Sequence, residues 1–289
     1  MRSRGGSDDA DGNEQGVPRN SYEGQLPSAG PAGKIRLVPY TEVNRGRHIG
    51  WVLDPRVEMS PMLWGWKSTK YSPLVKRYRE YRRIAWNLNN EVFPEYLSRS
   101  IFDAAGKKLG MLQKNTLVMG NEDEIGLLMD YSIHDCREKG DNAVSRYRAD
   151  AHLDPQSDKY AVVKAMSESF FTLIEAIEVL PGVGVGVADL WADREYLLID
   201  MGFSKTARKG LVLATRILPF ERFVTTSGAA LPVDAQTLRE IQDSVLPRYK
   251  IEQEGKCTLA GGRRKAADLT VAVIRLCLQS GASDRIQYK

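Results

Sequence analysis

Between Lys67 and Arg99 eight Lys or Arg residues stand against three acids, and Trp64, Trp66, Tyr71 and Trp86 are interleaved with them. Guanidinium and ammonium groups along one helical stripe can neutralise phosphates, and an aromatic ring beside them can stack on an unpaired base. The residues that carry this reading are Trp64, Trp66, Lys76, Arg79, Arg83 and Trp86. The competing reading is a solvated face over an ordinary core, with Glu80 available for local ion pairs.

A second set lies further on. Asp130 and His134 are four residues apart, so on a helix they stand one turn above one another, on a polar side shared with Asp123. A carboxylate and an imidazole so placed can share a divalent metal or work as an acid/base pair. Further ligands would come from Asp103, Asp141 or His152. The plainer reading is a local pair on a solvated face. A third set is Lys205, Arg208 and Lys209, a basic loop near Thr225-Thr226-Ser227-Gly228, which reads either as a ligand edge or as a solvated turn. The run Gly182-Val-Gly-Val-Gly-Val-Ala-Asp189 lacks the G-x-G-x-x-G spacing and the helix of a dinucleotide loop. Its alternation predicts a strand, with glycine at a bend. Ser204 lies between Phe203 and Lys205, not in a glycine elbow.

Helices must position the first two sets. Ser72-Pro73 opens one, with Ser72 as its cap; Leu74, Tyr78, Tyr81, Ala85, Leu88 and Val92 share a face at about 100° per residue. Lys76, Arg79, Arg83, Asn87 and Asn90 take the opposite face, and the helix should end near Pro94. A short helix over 96–108 follows. Asn121 and Glu124 have the spacing of a capping box, and Ile125, Leu128, Met129, Ile133 and Cys136 form a stripe on a helix reaching Gly140. Asp154-Pro155 opens another. From 171 the pattern becomes β: strands over 171–180, 183–187, 195–200, 211–218 and 222–226 suggest a meander closed into a small barrel. Asp234 then caps a helix, and a last helix covers 264–279, where Thr270, Val271, Val273 and Ile274 suit a strand equally. Upstream, 35–40 and 48–53 form a candidate hairpin.

The 289 residues carry a net charge of +4, which permits an anionic partner without requiring one. Cys136, Cys257 and Cys277 lie far apart, which argues against a disulfide framework or a cysteine zinc site and suits a reducing compartment. Residues 1–11 lack the apolar core of a secretory signal, and no run approaches the roughly 18 apolar residues of a membrane span. Residues 1–33 are rich in Gly, Ser, Pro, Asp and Asn and read as a disordered tail.

The order Pro181-Gly182-x-Gly184-Val185, Asp189-Leu190, a turn, 211–219 and Thr226-Ser227-Gly228 resembles a β segment of uncharacterised bacterial proteins that often carry a C-terminal SEC-C zinc motif. The resemblance covers residues 170–228. The Cys-x-Cys cluster of that motif is absent, so zinc binding is not carried over. What the resemblance implies is a bacterial, cytoplasmic origin and no assigned activity.

The expected fold is α+β: a disordered tail (1–33), a mainly helical domain (34–169), a small five-stranded antiparallel barrel-like module (170–230) and C-terminal helices (231–289). The expected function is a cytoplasmic binding protein that uses the basic, aromatic-lined helix, with nucleic acid or an acidic protein surface as partner, no membrane contact and no evident cofactor. A metal-dependent hydrolase or nuclease built on Asp130 and His134, and an interaction scaffold, stand as alternatives.

Overall fold

The computed structural model describes residues 71–113, 116–192, 194–253, 256–259 and 263–285, and before them the short antiparallel hairpin of β1 (Leu37–Pro39) and β2 (Trp51–Leu53). The expected tail at 1–33 and the Trp64–Trp66 stretch lie outside the described residues.

The helical part comprises α1 (Ser72–Asn87), α2 (Arg99–Leu109), α3 (Glu122–His134), α4 (Ala143–Asp150) and α5 (Asp158–Ser167), with the two-residue strands β3 (Leu112–Gln113) and β4 (Thr116–Leu117) after α2. Ser72 is the first helical residue, not the cap; that place falls to Tyr71, whose side chain makes no capping bond. At Asn87 the α-helix gives way to a π turn (Leu88–Val92) and a 3-10 turn (Phe93–Tyr96) around Pro94, which cannot continue the ladder. Asn121 caps α3 by accepting from the Glu124 amide, and Glu124 reaches back one residue beyond the cap to accept from the Gly120 amide at 2.6 Å, a variant of the capping box. That helix stops at His134, short of Gly140, because the chain turns through Lys139 (φ 55) and Gly140 (φ 97) and Asn142 donates to the His134 carbonyl at 2.7 Å. Its buried face is Leu127, Leu128, Tyr131 and Ile133, while Ile125, expected inside, is 46% exposed. Helix α4 was not expected, and α5 begins at a Ser157 cap, not at Asp154.

The five expected strands are present as β5 (Phe170–Leu180), β6 (Gly184–Asp189), β7 (Arg194–Ile199), β8 (Val212–Pro219) and β9 (Val224–Val233). They close into a barrel in the order β5-β6-β7-β9-β8, not as a meander. A connection holding α6 (Phe203–Thr206) carries the chain from β7 across to β8, which pairs with β5. The turn at Phe220–Phe223 then returns β9 into the gap, where it meets β7 in parallel at Leu198↔Val224 and β8 antiparallel. Strand alternation separates two apolar sets. Ile174, Val185, Val187, Leu198, Leu213 and Ile217 fill the interior, and Leu173, Val212, Ala214 and Leu218 face outward to the helices.

Beyond the barrel come α7 (Ala235–Glu240), capped by Asp234, then π and 3-10 turns, the pair β10 (Lys250–Gln253) and β11 (Lys256–Leu259), and α8 (Arg263–Gln279). The Thr270–Ile274 stretch is helical because Leu269, Val273, Ile274 and Cys277 fall on one face that enters the helix–barrel core. Among the described residues no helix is long and apolar enough to cross a membrane.

Helix α1 packs by Leu74, Tyr78 and Tyr81 onto the turn that closes the barrel. The Tyr81 ring stacks on Phe220 at 4.6 Å, and Phe220 on Phe223 at 5.2 Å. This contact sets the opposite face of α1 toward water.

The glycine run is a strand, as its alternation predicts, and Gly184 is there for clearance. A Cβ at this position would stand 2.0 Å from the Leu198 carbonyl oxygen and 2.8 Å from the Ile199 Cα, so the β6–β7 backbones would have to part. Gly184→Ala is expected to cost more than about 3 kcal/mol of stability, beyond ordinary overpacking. Urea denaturation checks this, and a variant as stable as the wild type would refute the close approach.

Candidate functional site

Two polar constellations stand out, one buried and one exposed. The buried one lies where α3 meets the barrel. Arg216 occupies an outward position of β8, between Ala214 and Leu218, and its side chain is only 4% exposed. Its Nε donates to Asp130 Oδ2 at 2.9 Å, and its Nη2 donates to Asp135 just past the end of α3. Opposite Arg216, residues 227–229 of β9 bulge out of register.

Charge and burial compete throughout this cluster. Burial alone would raise the Asp130 pKa, but Arg216 outweighs it, with help from the Ser227 hydroxyl, and the carboxyl is held below its usual range. At Asp135 burial wins over Arg216, and the pKa is raised. Desolvation would lower the Arg216 pKa, but its two carboxylates keep it above the ordinary value. Burial, then the Arg216 charge, push His134 down to about 3, so it is a neutral imidazole.

Asp130 and His134 therefore do not lie on the solvated side of α3 that the sequence pattern predicts; both are buried. The reason is Arg216, which draws Asp130 inward from a distant strand. Around His134 the groups stand in the order of a hydrolytic triad: Ser169 Oγ lies 3.2 Å from His134 Nδ1, and Asp130 Oδ1 lies 4.0 Å from His134 Nε2. The geometry is wrong for activating a nucleophile. Ser169 donates its hydrogen to the Met166 carbonyl at 2.8 Å, not to the ring, and at 4.0 Å the Asp130 carboxylate is too far to orient the imidazole by a hydrogen bond. Of the further ligands considered, Asp103 pairs with Arg99 at 3.8 Å, Asp141 is bridged to Glu138 and His152 is exposed. Among the described residues no three His, Cys, Asp or Glu are grouped to hold a metal. Asp123 instead helps line a cleft of about 270 Å³ with Glu122, Gly126 and Gly228–Ala230.

The exposed constellation is on α1. Lys76, Arg79, Arg83 and Trp86 are all exposed, and their helical spacing puts them on one stripe. Trp86 is 61% exposed. The flanking arginines are occupied: Arg77 pairs with Asp158 at 2.7 Å, and Arg82 reaches the Thr226 carbonyl at 3.4 Å. Arg83 has a loose contact with Glu80 at 3.4 Å, and Lys76 and Arg79 make no ion pair among the described residues. Just after Trp86, Asn90 donates to its carbonyl at 2.7 Å and secures the start of the π turn. Lys205, Arg208 and Lys209 are exposed on and after α6; Lys209 lies near Glu175, whose pKa burial raises and Lys209 partly lowers.

Sequence reasoning missed Arg216, Asp135 and Ser169. A signal for the first existed: along Val212-x-Ala214-x-Arg216-x-Leu218 an arginine stands in an apolar alternation.

Residues 72–259 match a family of unknown function, DUF7986. No curated protein and no solved structure matches the chain. The family match contains residues 170–228 and says nothing of SEC-C-bearing proteins.

Removing Arg216 alone leaves two carboxylates buried without their cation. Arg216→Met is expected to lose about 3–5 kcal/mol, while the triple variant with Asp130→Leu and Asp135→Leu recovers most of it. Denaturant titration of both decides the matter: a triple variant weaker than the single one would show that packing, not uncompensated charge, causes the loss.

Proposed function

The chain belongs to this family of unknown function, and for it we propose a non-enzymatic binding protein that contacts single-stranded nucleic acid along α1. The observation that carries this reading is Trp86, whose indole is largely in water on the stripe of Lys76, Arg79 and Arg83. Among the described residues this indole joins no apolar cluster, and beside three cations it can serve as a stacking platform. From Lys76 to Trp86 the stripe is about 15 Å long at about 1.5 Å per residue, enough for a few consecutive nucleotides. Arg77 and Arg82 are tied to Asp158 and Thr226, so they hold the helix in place and leave binding to the outer cations. Buried thiols outside any disulfide at Cys136 and Cys277 suit a reducing cytoplasm, in keeping with the bacterial origin that the resemblance of residues 170–228 implies.

Three neutralised phosphates give a slope of log affinity against log salt of about −2 on a single strand. Fluorescence anisotropy with labelled DNA and RNA oligonucleotides measures it. Arg79→Glu with Arg83→Glu should abolish binding, and Trp86→Ala should weaken it by roughly 1–3 kcal/mol. No binding at low salt would overturn the reading. Binding that depends on salt but not on Trp86, and is equal for duplex and single strand, would replace base stacking with simple charge attraction.

A further inference from the structure

The buried cluster holds one guanidinium, two carboxylates and one neutral imidazole, and the imidazole is left unbonded to the carboxylate beside it. His134 Nε2 and Asp130 Oδ1 face each other at 4.0 Å, too far for a hydrogen bond, and Asp130 Oδ1 has no other partner among the described residues. The other oxygen of Asp130 is held by Arg216, and the second arm of Arg216 is held by Asp135, the residue that begins the turn out of α3. We infer that this cluster is an acid-operated latch: acid favours a state in which His134, the last residue of α3, leaves the cluster, takes up a proton in water and frees the segment 135–142 from the barrel.

That segment is built to move as a unit. It has no helix or strand of its own beyond the Glu138↔Asp141 bridge, and it turns through the left-handed Lys139 and Gly140. It is fastened by the Asp135–Arg216 bond, by the Asp135 and Cys136 amides donating to the Tyr131 carbonyl, by the Asn142 bond to the His134 carbonyl, by the Arg146–Glu138 pair at 2.7 Å and by the packing of Cys136 into the core. The charged and titratable groups around His134 and Asp130 are few. From β8 comes Arg216; from the segment come Asp135 and, acting on it, Arg137. Asp130 and Tyr131 come from α3; Lys108 of α2 lies 3.5 Å from the Tyr131 hydroxyl, and Asp268 of α8 acts on Tyr131. From β9 and the end of α5 come the hydroxyls of Ser227 and Ser169.

Their signs define a pH window. In the closed state His134 resists protonation down to about 3, against 6.5 when free, so acid favours any state in which the ring reaches water. This stability is present above 6.5 and is lost progressively as pH falls toward 3. Asp135 acts the other way: its raised pKa means that it takes up a proton first in the closed state, which offsets the loss at the acid end. Asp130, lowered, adds to opening only below the ordinary carboxylate range. Opening therefore sets in near pH 6.5 and steepens below it toward about tenfold per pH unit for one proton, about fivefold between pH 6.5 and 5.5.

Cys136, next to Asp135, reports the opening. Its thiol is buried and pushed up to about 11 by that burial, so it is unreactive when the latch is closed. Cys277, buried in α8, serves as control. The test is timed labelling of the full chain with 4,4′-dithiodipyridine, which reacts with thiols in acid, read by peptide mass spectrometry. Each thiol's rate is divided by its rate in the denatured chain at the same pH, which removes the fall in thiolate. Between pH 6.5 and 5.5 this relative rate should rise by about fivefold at Cys136 while Cys277 stays protected. In His134→Gln the rise should vanish. A flat relative rate at Cys136 in the wild type, an equal rise at Cys277, or an unchanged slope in His134→Gln would each overturn the latch. The wild-type comparison of the two thiols decides even if the variant does not fold.

Discussion

One guanidinium organises the contact between helices and barrel. Desolvating Arg216 costs several kcal/mol, and the cost is met only if both of its arms find carboxylates at hydrogen-bonding distance. Asp130 and Asp135 supply them from either side of the end of α3. That requirement fixes the rotation of α3, its distance from β8 and the point where it stops. A purely apolar contact would tolerate a slide of α3 along the barrel, because dispersion is nearly indifferent to register. A two-armed ionic contact is not, and so the cluster specifies one arrangement more than it adds stability.

The same economy appears on α1, where two faces do opposite work. Leu74, Tyr78 and Tyr81 sink into the Phe220–Phe223 turn that brings β9 home, so the helix is anchored at the place where the barrel closes. Arg77 and Arg82 fasten its flanks to α5 and to β9. The cations on the outer stripe take no part in this anchoring. A rigid helix with its outer cations unspent and an indole standing in water is a pre-ordered surface, and pre-ordering is what lets a few weak contacts with a flexible polymer add up.

Much of this was legible in the residues, and what was not has a common cause. Strand alternation, the Asn121/Glu124 box, the Asp234 cap and the apolar stripe of α1 are local signals, and each produced its element. The basic stripe was legible for the same reason: it depends only on helical spacing. The barrel's strand order was not, because β9 enters between β7 and β8 through contacts far apart in sequence. Nor was the fate of Asp130 and His134. On α3 alone they look like a polar face, and only a cation arriving 86 residues later turns that face inward. The same long-range pull explains why Ile125 is left outside.

Polar residues on helices are ambiguous until their partners are located, and this chain holds both outcomes side by side. The Asp130/His134 pair had the spacing of a chemical site, but its atoms are committed: one oxygen to Arg216, one ring nitrogen toward Ser169, and the serine hydrogen to a backbone carbonyl. The Lys76–Trp86 stripe had no more specific a spacing, yet Lys76 and Arg79 make no ion pair among the described residues and Arg83 has only a loose contact with Glu80. Uncommitted polar groups beside an exposed aromatic carry no structural return, because the fold would be as stable with alanine or glutamate in their places. The solubility cost of the exposed indole, and the absence of an ion pair at Lys76 and Arg79 among the described residues, are explained if the stripe meets an anion outside the chain.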